Sequence, residues 1–248
     1  MTLEQERKSH CWPWVRKAGT AAMWAAASWL AYVLALRIVN PPITPLIALR
    51  ALEYQIEDRN VQTEWEWVSL QDIPLHVQQS VVAAEDARFM EHWGIDFSAV
   101  EDAIDDSEGR KRPRGASTIT MQTVKNVFLW PGRSYVRKFI EAVMAPVAGL
   151  VWGKRRTLEI YLNVIEWGEG VYGIQAASRH YFGKPVNQLS LSQAAALAAV
   201  LPAPRRLSPT NLSAVSRQRY DRIVKEASAV PLPTHFYVPA SVRRRARS

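Results

Sequence analysis

Residues 18–36 carry no charge and read AGTAAMWAAASWLAYVLAL. A helix of these 19 residues is about 28 Å long, close to the roughly 30 Å thickness of the hydrocarbon core of a bilayer. Trp12 and Trp14 flank one end and Arg37 the other, as interfacial anchors do. The stretch therefore predicts one membrane-spanning helix, which leaves the residues after about 40 to form the folded domain.

Two other interpretations of this apolar stretch are a buried core helix and a cleaved signal peptide. The signal peptide is disfavoured because Asn40-Pro41-Pro42 offers no small-x-small cleavage site. We expect a retained anchor. Residues 1–17 carry four cations against two acids, so the positive-inside rule keeps them in the cytoplasm and sends the rest outside.

Composition indicates a folded protein with anionic partners. Apolar residues make up 48% of the chain, and the net charge is +8. Cys11 is the one cysteine, so an intrachain disulfide is excluded. The sequence divides into an N terminus (1–17), an anchor (18–36), one folded domain (37–230) and a basic C-terminal tail (231–248), which we expect to be poorly ordered.

The stretch 81–96, VVAAEDARFMEHWGID, ends an apolar helical run with two adjacent acids, Glu85 and Asp86. Helical spacing predicts Phe89 next to Glu85 on one face, and Pro74 marks the start of this helix. Glu85 is either an exposed surface acid or a half-buried cleft carboxylate whose raised pKa suits a general base.

Residues 115–130 predict a second helix that follows a Gly-Ala-Ser-Thr start. Thr118, Gln122 and Lys125 are spaced to share one polar face. With Ser117 and free N–H groups at the helix start, this face is a natural anion site. The alternative is an ordinary amphipathic helix.

A third helix is predicted over 135–151, with Ser134 as its cap. It carries Arg137, Lys138 and Glu141, whose alternative interpretation is a surface ion pair. Gly153 is expected to break the chain before another helix. Residues 105–114 are typical of a mobile loop. No His or Cys spacing predicts a zinc site, and no residue is predicted as a metal ligand.

Five segments occur in an order that is far more specific than any one of them. They are EDARFMEHWGID (85–96), GASTITMQTVKN (115–126), RKFIE (137–141), KRRTLEIYLN (154–163) and GVYGIQAASRHYFGK (170–184). Together they resemble the motif blocks of the peptidoglycan glycosyltransferase family, which also supplies the N-terminal domain of bifunctional penicillin-binding proteins. The resemblance covers roughly residues 70–205, and we expect no transpeptidase domain. Ala116 and Met121 depart from the usual Gly and Gln of the second block.

The resemblance implies a mainly α-helical, lysozyme-like, two-lobed fold for residues 37–230. It implies that the enzyme polymerises lipid II into glycan strands. The implied catalytic residues are Glu85, as the base, and Glu141. The implied substrate-binding residues are Asp86, Phe89, Ser117, Thr118, Gln122, Lys125, Arg133, Arg137 and Lys138, with the basic ones near the donor diphosphate. His92 is expected to be structural.

The implied partners are lipid II, the growing glycan strand and the inner membrane, with the catalytic domain on the periplasmic side. The resemblance requires no cofactor and leaves open Mg²⁺ or Mn²⁺ at the donor diphosphate. It also leaves open other cell-wall synthesis or division proteins as partners. The basic tail permits nucleic-acid binding, but exposure outside the membrane disfavours it, and we expect no nucleic-acid partner. Two alternative functions are a lysozyme-like lytic enzyme that uses Glu85 as its acid and a non-catalytic cell-wall scaffold.

Overall fold

The structure is a computed structural model that describes residues 3–99, 101, 117–132 and 134–238, with side chains from residue 16 onward. The chain forms two compact units, residues 1–40 and residues 41–248. The predicted loop at 105–114, Ala116 and Arg133 lie outside the described residues.

The first unit is one long helix, α1 (Leu3–Leu36). Its segment Arg16–Leu36 has 21 residues and a mean hydropathy of 1.4, so it is long and apolar enough to cross a membrane. Its apolar side chains Met23 and Trp24 are exposed. The predicted apolar helix is confirmed, and it extends back through the polar N-terminal residues to Leu3.

The second unit is mainly α-helical, as expected. Among the described residues, its helices include α2 (Pro45–Ile56), α3 (Leu75–Glu85), α4 (Ile119–Phe128), α5 (Tyr135–Val164), α6 (Ile174–Phe182), α7 (Leu191–Val200) and α8 (Ala214–Glu226). Residues 97–99 and 101 are also helical. Short 3₁₀ turns cover Leu70–Asp72, Val186–Gln188, Ala227–Ala229 and Thr234–Phe236.

A small three-stranded sheet lies among these helices. Its strands are β1 (Glu64–Trp65), β2 (Glu166–Gly168) and β3 (Val171–Tyr172), in the order β1-β3-β2. Strand β1 pairs with β3 in parallel, and β2 pairs with β3 antiparallel across a register irregularity. The sheet joins the chain before α3 to the turn after α5.

The core forms where α3, the end of α5, α7 and α8 meet. Val81, Leu158, Leu197 and Ile223 are all fully buried there. Each of these residues lies on a different helix, so the burial of their side chains against one another holds the four helices in place. Because α3 ends at Glu85, the core also fixes the position of that carboxylate.

Helix α5 is divided at Gly153, where the backbone adopts φ 66° and ψ 173°. A positive φ favours glycine, so the predicted break is confirmed. Nearer its N terminus the helix packs closely on the turn after α3, because a Cβ on Gly149 would lie 2.3 Å from the carbonyl oxygen of Trp93. The turn and α5 are therefore held together by backbone contact.

Two predictions are wrong, one about where a helix ends and one about where the C-terminal chain becomes poorly ordered. The helix does not continue from Glu85 to Phe89, because Asp86 has φ −161° and its carboxylate turns away to bind other groups. The chain is also not poorly ordered directly after residue 230: Leu232 and Phe236 are buried in the core, and the Val238 N–H donates to the Gln71 carbonyl (3.1 Å).

Candidate active site

Glu85 is the last residue of α3, and its side chain is 15% exposed. One carboxylate oxygen, Oε2, accepts a hydrogen bond from Gln122 Nε2 (2.9 Å). The other, Oε1, accepts one from Arg219 Nη2 (3.1 Å). The carboxylate is thus held on both sides while part of it remains accessible.

Gln122 is held in turn by Tyr161, a buried residue of α5. The Tyr161 hydroxyl donates to Gln122 Oε1 (3.2 Å), which leaves the amide nitrogen to face Glu85. Burial raises the pKa of Tyr161 well above its ordinary value, so the hydroxyl stays a donor. Tyr161, Gln122 and Glu85 therefore form a chain of hydrogen bonds with a defined direction.

Burial raises the pKa of Glu85 above its ordinary value. The hydrogen bond from Gln122 and the positive charges of Arg219 and Lys125 act in the opposite direction. The net effect is still a raised pKa, and a carboxylate with a raised pKa is a stronger base. This is the half-buried cleft carboxylate that the sequence allowed.

Lys125 lies one helical turn beyond Gln122 on α4. Burial lowers the pKa of its ammonium group, and the negative charges of Glu141 and Glu85 partly offset this effect. The two carboxylates predicted as catalytic therefore act on the same lysine. Gln122 and Lys125 do share one face, as predicted.

Glu141 is enclosed by cations at the start of α5, and its side chain is 4% exposed. It accepts a hydrogen bond from Arg137 Nη1, one helical turn earlier, and a second from Lys138 Nζ (3.3 Å). Lys138 Nζ also donates to Ser117 Oγ (2.6 Å). Ser134 caps the helix, as predicted. Glu141 therefore holds two cations in one place.

Thr118 and Asp86 are buried supports of α4 and do not line the cleft. Thr118 is the N-cap: its hydroxyl accepts from the Met121 N–H (3.1 Å) and donates to the Gly94 carbonyl. Asp86 Oδ2 accepts from the Ile119 N–H (2.9 Å). The predicted alignment of Thr118 with the polar face is wrong because an N-cap residue is not helical. These two side chains also accept hydrogen bonds from the Ile119 and Met121 N–H groups, two of those expected to be free.

Lys154 holds the turn that follows Glu85. Its ammonium group donates to the carbonyls of Phe89 and His92 and lies 4.5 Å from the centroid of the Phe89 ring. Burial lowers the pKa of Lys154 to about 8. Phe89 is fully buried in the core, so its side chain packs against other protein groups and does not line the cleft, although it was predicted to bind substrate.

Asp86, His92 and Asp96 place three possible ligand atoms within 4.8 Å of one another. His92 Nε2 lies 3.0 Å from Asp86 Oδ1, and Asp96 accepts hydrogen bonds from Arg88 and Ser98. These contacts use the side chains to join the turn together. We assign no metal to this group, which lies in the turn and not among the cations of α5.

A cavity of about 230 Å³ extends from the cation cluster. Its polar and charged lining comprises Arg50, Gln122, Lys125, Asn126, Arg137, Tyr161 and Glu166. The apolar residues that line it include Leu46, Leu129, Trp130, Leu201 and Pro202. Gln122 lines this cavity and also donates a hydrogen bond to Glu85, so a molecule bound in the cavity would contact the cations and lie near the carboxylate.

The structure thus brings together most of the predicted site residues: Glu85, Ser117, Gln122, Lys125, Arg137, Lys138 and Glu141. Sequence reasoning did not identify Arg219, Lys154 or Tyr161 as parts of the site. Tyr161 and Lys154 lie in one of the motif blocks, which was a usable signal. Arg219 lies on the last helix, where nothing in the sequence pointed to Glu85.

A helical domain that holds a partly exposed carboxylate near a cluster of cations is suited to one class of enzyme. In this class a base activates a nucleophile, and positive charge stabilises an anionic leaving group. The family model described as Transglycosylase matches residues 53–228. The chain belongs to this family, which confirms the expected family and its lysozyme-like fold.

The similar curated proteins are named biosynthetic peptidoglycan transglycosylase. The one from Pseudomonas entomophila (strain L48) is 41% identical over 222 residues, covering 90% of this chain and 94% of the relative. The one from Bdellovibrio bacteriovorus is 47% identical over 206 residues, covering 82% and 81%. The one from Shewanella frigidimarina is 45% identical over 183 residues, covering 74% and 77%.

Proposed function

We propose that the chain polymerises lipid II into linear β-1,4 glycan strands of peptidoglycan, with inversion and with release of undecaprenyl diphosphate. The observation that carries this proposal is the position of the Glu85 carboxylate. It accepts a hydrogen bond from Gln122, and its charge acts on Lys125 together with the charge of Glu141 from the cation cluster. The similar proteins bear the name of this activity.

The chemistry explains why a base and cations occur together without a strong acid. The acceptor sugar hydroxyl is a poor nucleophile, so Glu85 takes its proton as the oxygen attacks the anomeric carbon of the donor. The bond from that carbon to the lipid diphosphate breaks in the same step. The diphosphate leaves as an anion, which Lys125, Arg137 and Lys138 stabilise. We include Arg133 in this basic group because of its place in the sequence.

We assign Glu141 to the positioning of Arg137 and Lys138. Its carboxylate accepts hydrogen bonds from both, so it fixes their direction. The same contacts decide whether these residues could bind the divalent cation that the resemblance left open. Within the cation cluster itself, Glu141 is the carboxylate beside Arg137 and Lys138, and it is already engaged by both, so these described residues do not fit a metal site.

We propose that α1 anchors the enzyme in the inner membrane, with the N terminus inside and the catalytic unit on the periplasmic side. A second observation supports a lipid surface near the cations. Tyr135, Val136, Phe139 and Val143 of α5 are 57–97% exposed, although all are large and apolar. Such a patch beside a cation cluster suits a substrate that has both a lipid tail and a diphosphate.

The purified full chain, supplied with lipid II in detergent, tests this function. We expect glycan strands that lengthen with time on a gel. The same preparation, supplied with purified sacculi, should release no soluble muropeptides. Release of muropeptides without polymerisation would instead support the lytic enzyme, and inactivity in both assays would support the scaffold.

A further inference from the structure

Arg219 reaches the predicted base from the far end of the chain. Its guanidinium Nη2 lies 3.1 Å from Glu85 Oε1, across a separation of 134 residues. The side chains of Arg219 and Glu85 are 29% and 15% exposed. A charge-assisted hydrogen bond at such low exposure is stronger than one in open solvent.

The sequence of α8 places Arg219 on the side of the helix that faces the core. Ser216 and Ile223, one turn before and one turn after it, are 2% and 0% exposed. Ser213 caps the helix, so its start is fixed. Arg219 is partly buried on this face, so pairing with an acceptor offsets the cost of withdrawing its charge from water. Glu85 is that acceptor, and α8 is thereby joined to the site.

We propose that Arg219 is a positioning residue for the reaction: it fixes Glu85 Oε1 and keeps the carboxylate ionised until the acceptor hydroxyl arrives. Gln122 fixes the opposite oxygen but carries no charge. The inference rests on the proposed function, since it assigns Glu85 the role of base. It extends the site to a helix outside the five motif blocks.

The groups that face Glu85 come from three helices besides its own. Lys125 and Gln122 come from α4, Tyr161 from α5 and Arg219 from α8. Asp86, the neighbour of Glu85, adds a negative charge near Tyr161. Among the described residues that face Glu85, Lys125 and Arg219 are the two cations.

The loss of Arg219 should change the pH dependence of the reaction. Burial raises the pKa of Glu85 and Arg219 lowers it, so removal of Arg219 raises that pKa further. The base acts only when ionised, so activity falls as the pH drops through this pKa. Without Arg219 that fall should occur at a pH about one unit higher, the low end of the effect of a close opposite charge.

The experiment compares polymerisation of lipid II by the full-length wild type and by Arg219→Met, Arg219→Gln and Arg219→Lys, as kcat/KM against pH. In Arg219→Met and Arg219→Gln, the acidic limb of the pH profile should lie about one pH unit higher than in wild type. The loss of kcat/KM relative to wild type should therefore be about tenfold greater at low pH than at high pH. Arg219→Lys keeps the charge and should keep the limb close to wild type. The control is Arg217→Met, an exposed arginine on the same helix, which should match wild type.

A second measurement needs no substrate. The carboxyl carbons of ¹³C-labelled glutamate are titrated by NMR, and Glu85→Gln identifies the Glu85 signal. The pKa of Glu85 should be higher in Arg219→Gln than in wild type. An unchanged pKa, or an equal loss of activity at every pH, would overturn the inference.

Thermal melting shows which variants fold. If Arg219→Met does not fold, the comparison of Arg219→Gln with Arg219→Lys still separates charge from hydrogen bonding. If the wild type does not polymerise lipid II, the proposed function fails, while the NMR titration still decides whether Arg219 keeps Glu85 ionised.

Discussion

Replacement of Glu85 by glutamine removes the base and leaves the shape of the side chain nearly unchanged. In wild type the two carboxylate oxygens accept from Gln122 and Arg219. In Glu85→Gln, one of these acceptors becomes an NH₂ group, so one of the two donors loses its partner. The variant also no longer buries a charge. These two effects oppose each other, so we expect the free energy of unfolding to change by less than about 2 kcal/mol.

The effect on the reaction should be much larger. A positioned general base contributes about 10²–10⁴-fold to the rate, equivalent to about 2.7–5.5 kcal/mol of barrier. The raised pKa of Glu85 makes it a stronger base than an exposed carboxylate, so we expect a loss near the upper end of this range. The loss should appear in kcat, because glutamine still fits the bound geometry.

The assay follows the incorporation of labelled lipid II into strands under single-turnover and steady-state conditions. The matched control is Glu91→Gln, which changes an exposed acid in the same motif block and should leave the rate unchanged. Thermal melting confirms that both variants fold. A folded Glu85→Gln enzyme with more than about a tenth of the wild-type rate would refute the role of Glu85 as the base.

Three further predictions concern stability, each measured by thermal unfolding of the purified chain. Glu141→Ala leaves Arg137 buried without its carboxylate and should cost about 3–5 kcal/mol, whereas a purely chemical role for Glu141 would leave stability unchanged. Gly149→Ala forces a Cβ against the Trp93 carbonyl and should cost about 1–3 kcal/mol; an unchanged melting temperature would contradict this contact. Burial lowers the pKa of Lys154 from 10.5 to about 8, so the unfolded chain binds more protons between these values, and wild type should gain stability from about pH 8 to 10.5. Lys154→Met should lack this gain, and parallel pH profiles for the two proteins would count against it.

Local signals in the sequence were enough to predict most helices and where they end. Pro74 marked a helix that begins one residue later, Ser134 capped α5, and Gly153 broke it. Each of these effects depends on the backbone conformation of a few adjacent residues. Prediction succeeded because Pro restricts φ, Ser supplies an acceptor to free N–H groups, and Gly alone adopts a positive φ without strain.

The end of α3 could not be predicted from local spacing. The continued helical pattern placed Phe89 beside Glu85, but Asp86 leaves the helix to accept the Ile119 N–H and to meet His92. These partners come from the following turn and from the next helix. Whether α3 continues or Asp86 makes these hydrogen bonds depends on the folded positions of its partners, which local sequence spacing does not give.

The site itself was predicted in part. The five motif blocks led to Glu85, Gln122 and Lys125. The hydrogen bond between Glu85 and Gln122 joins the end of α3 to α4, which itself packs along α5. Arg219 could not be found in the same way. Its helix has many charged residues, and the choice of the one that meets Glu85 depends on how α8 packs on the core.

The most direct measurement of the whole account is the balance of products when the full-length chain acts on lipid II. The release of undecaprenyl diphosphate and the formation of glycosidic bonds are counted in one reaction, the first by radiolabelled phosphate and the second by mass spectrometry of the strands. If Glu85 activates a sugar hydroxyl, each diphosphate released should correspond to one new β-1,4 bond. Release of diphosphate with free sugar and no lengthening of strands would show that water is the nucleophile, and would contradict the account.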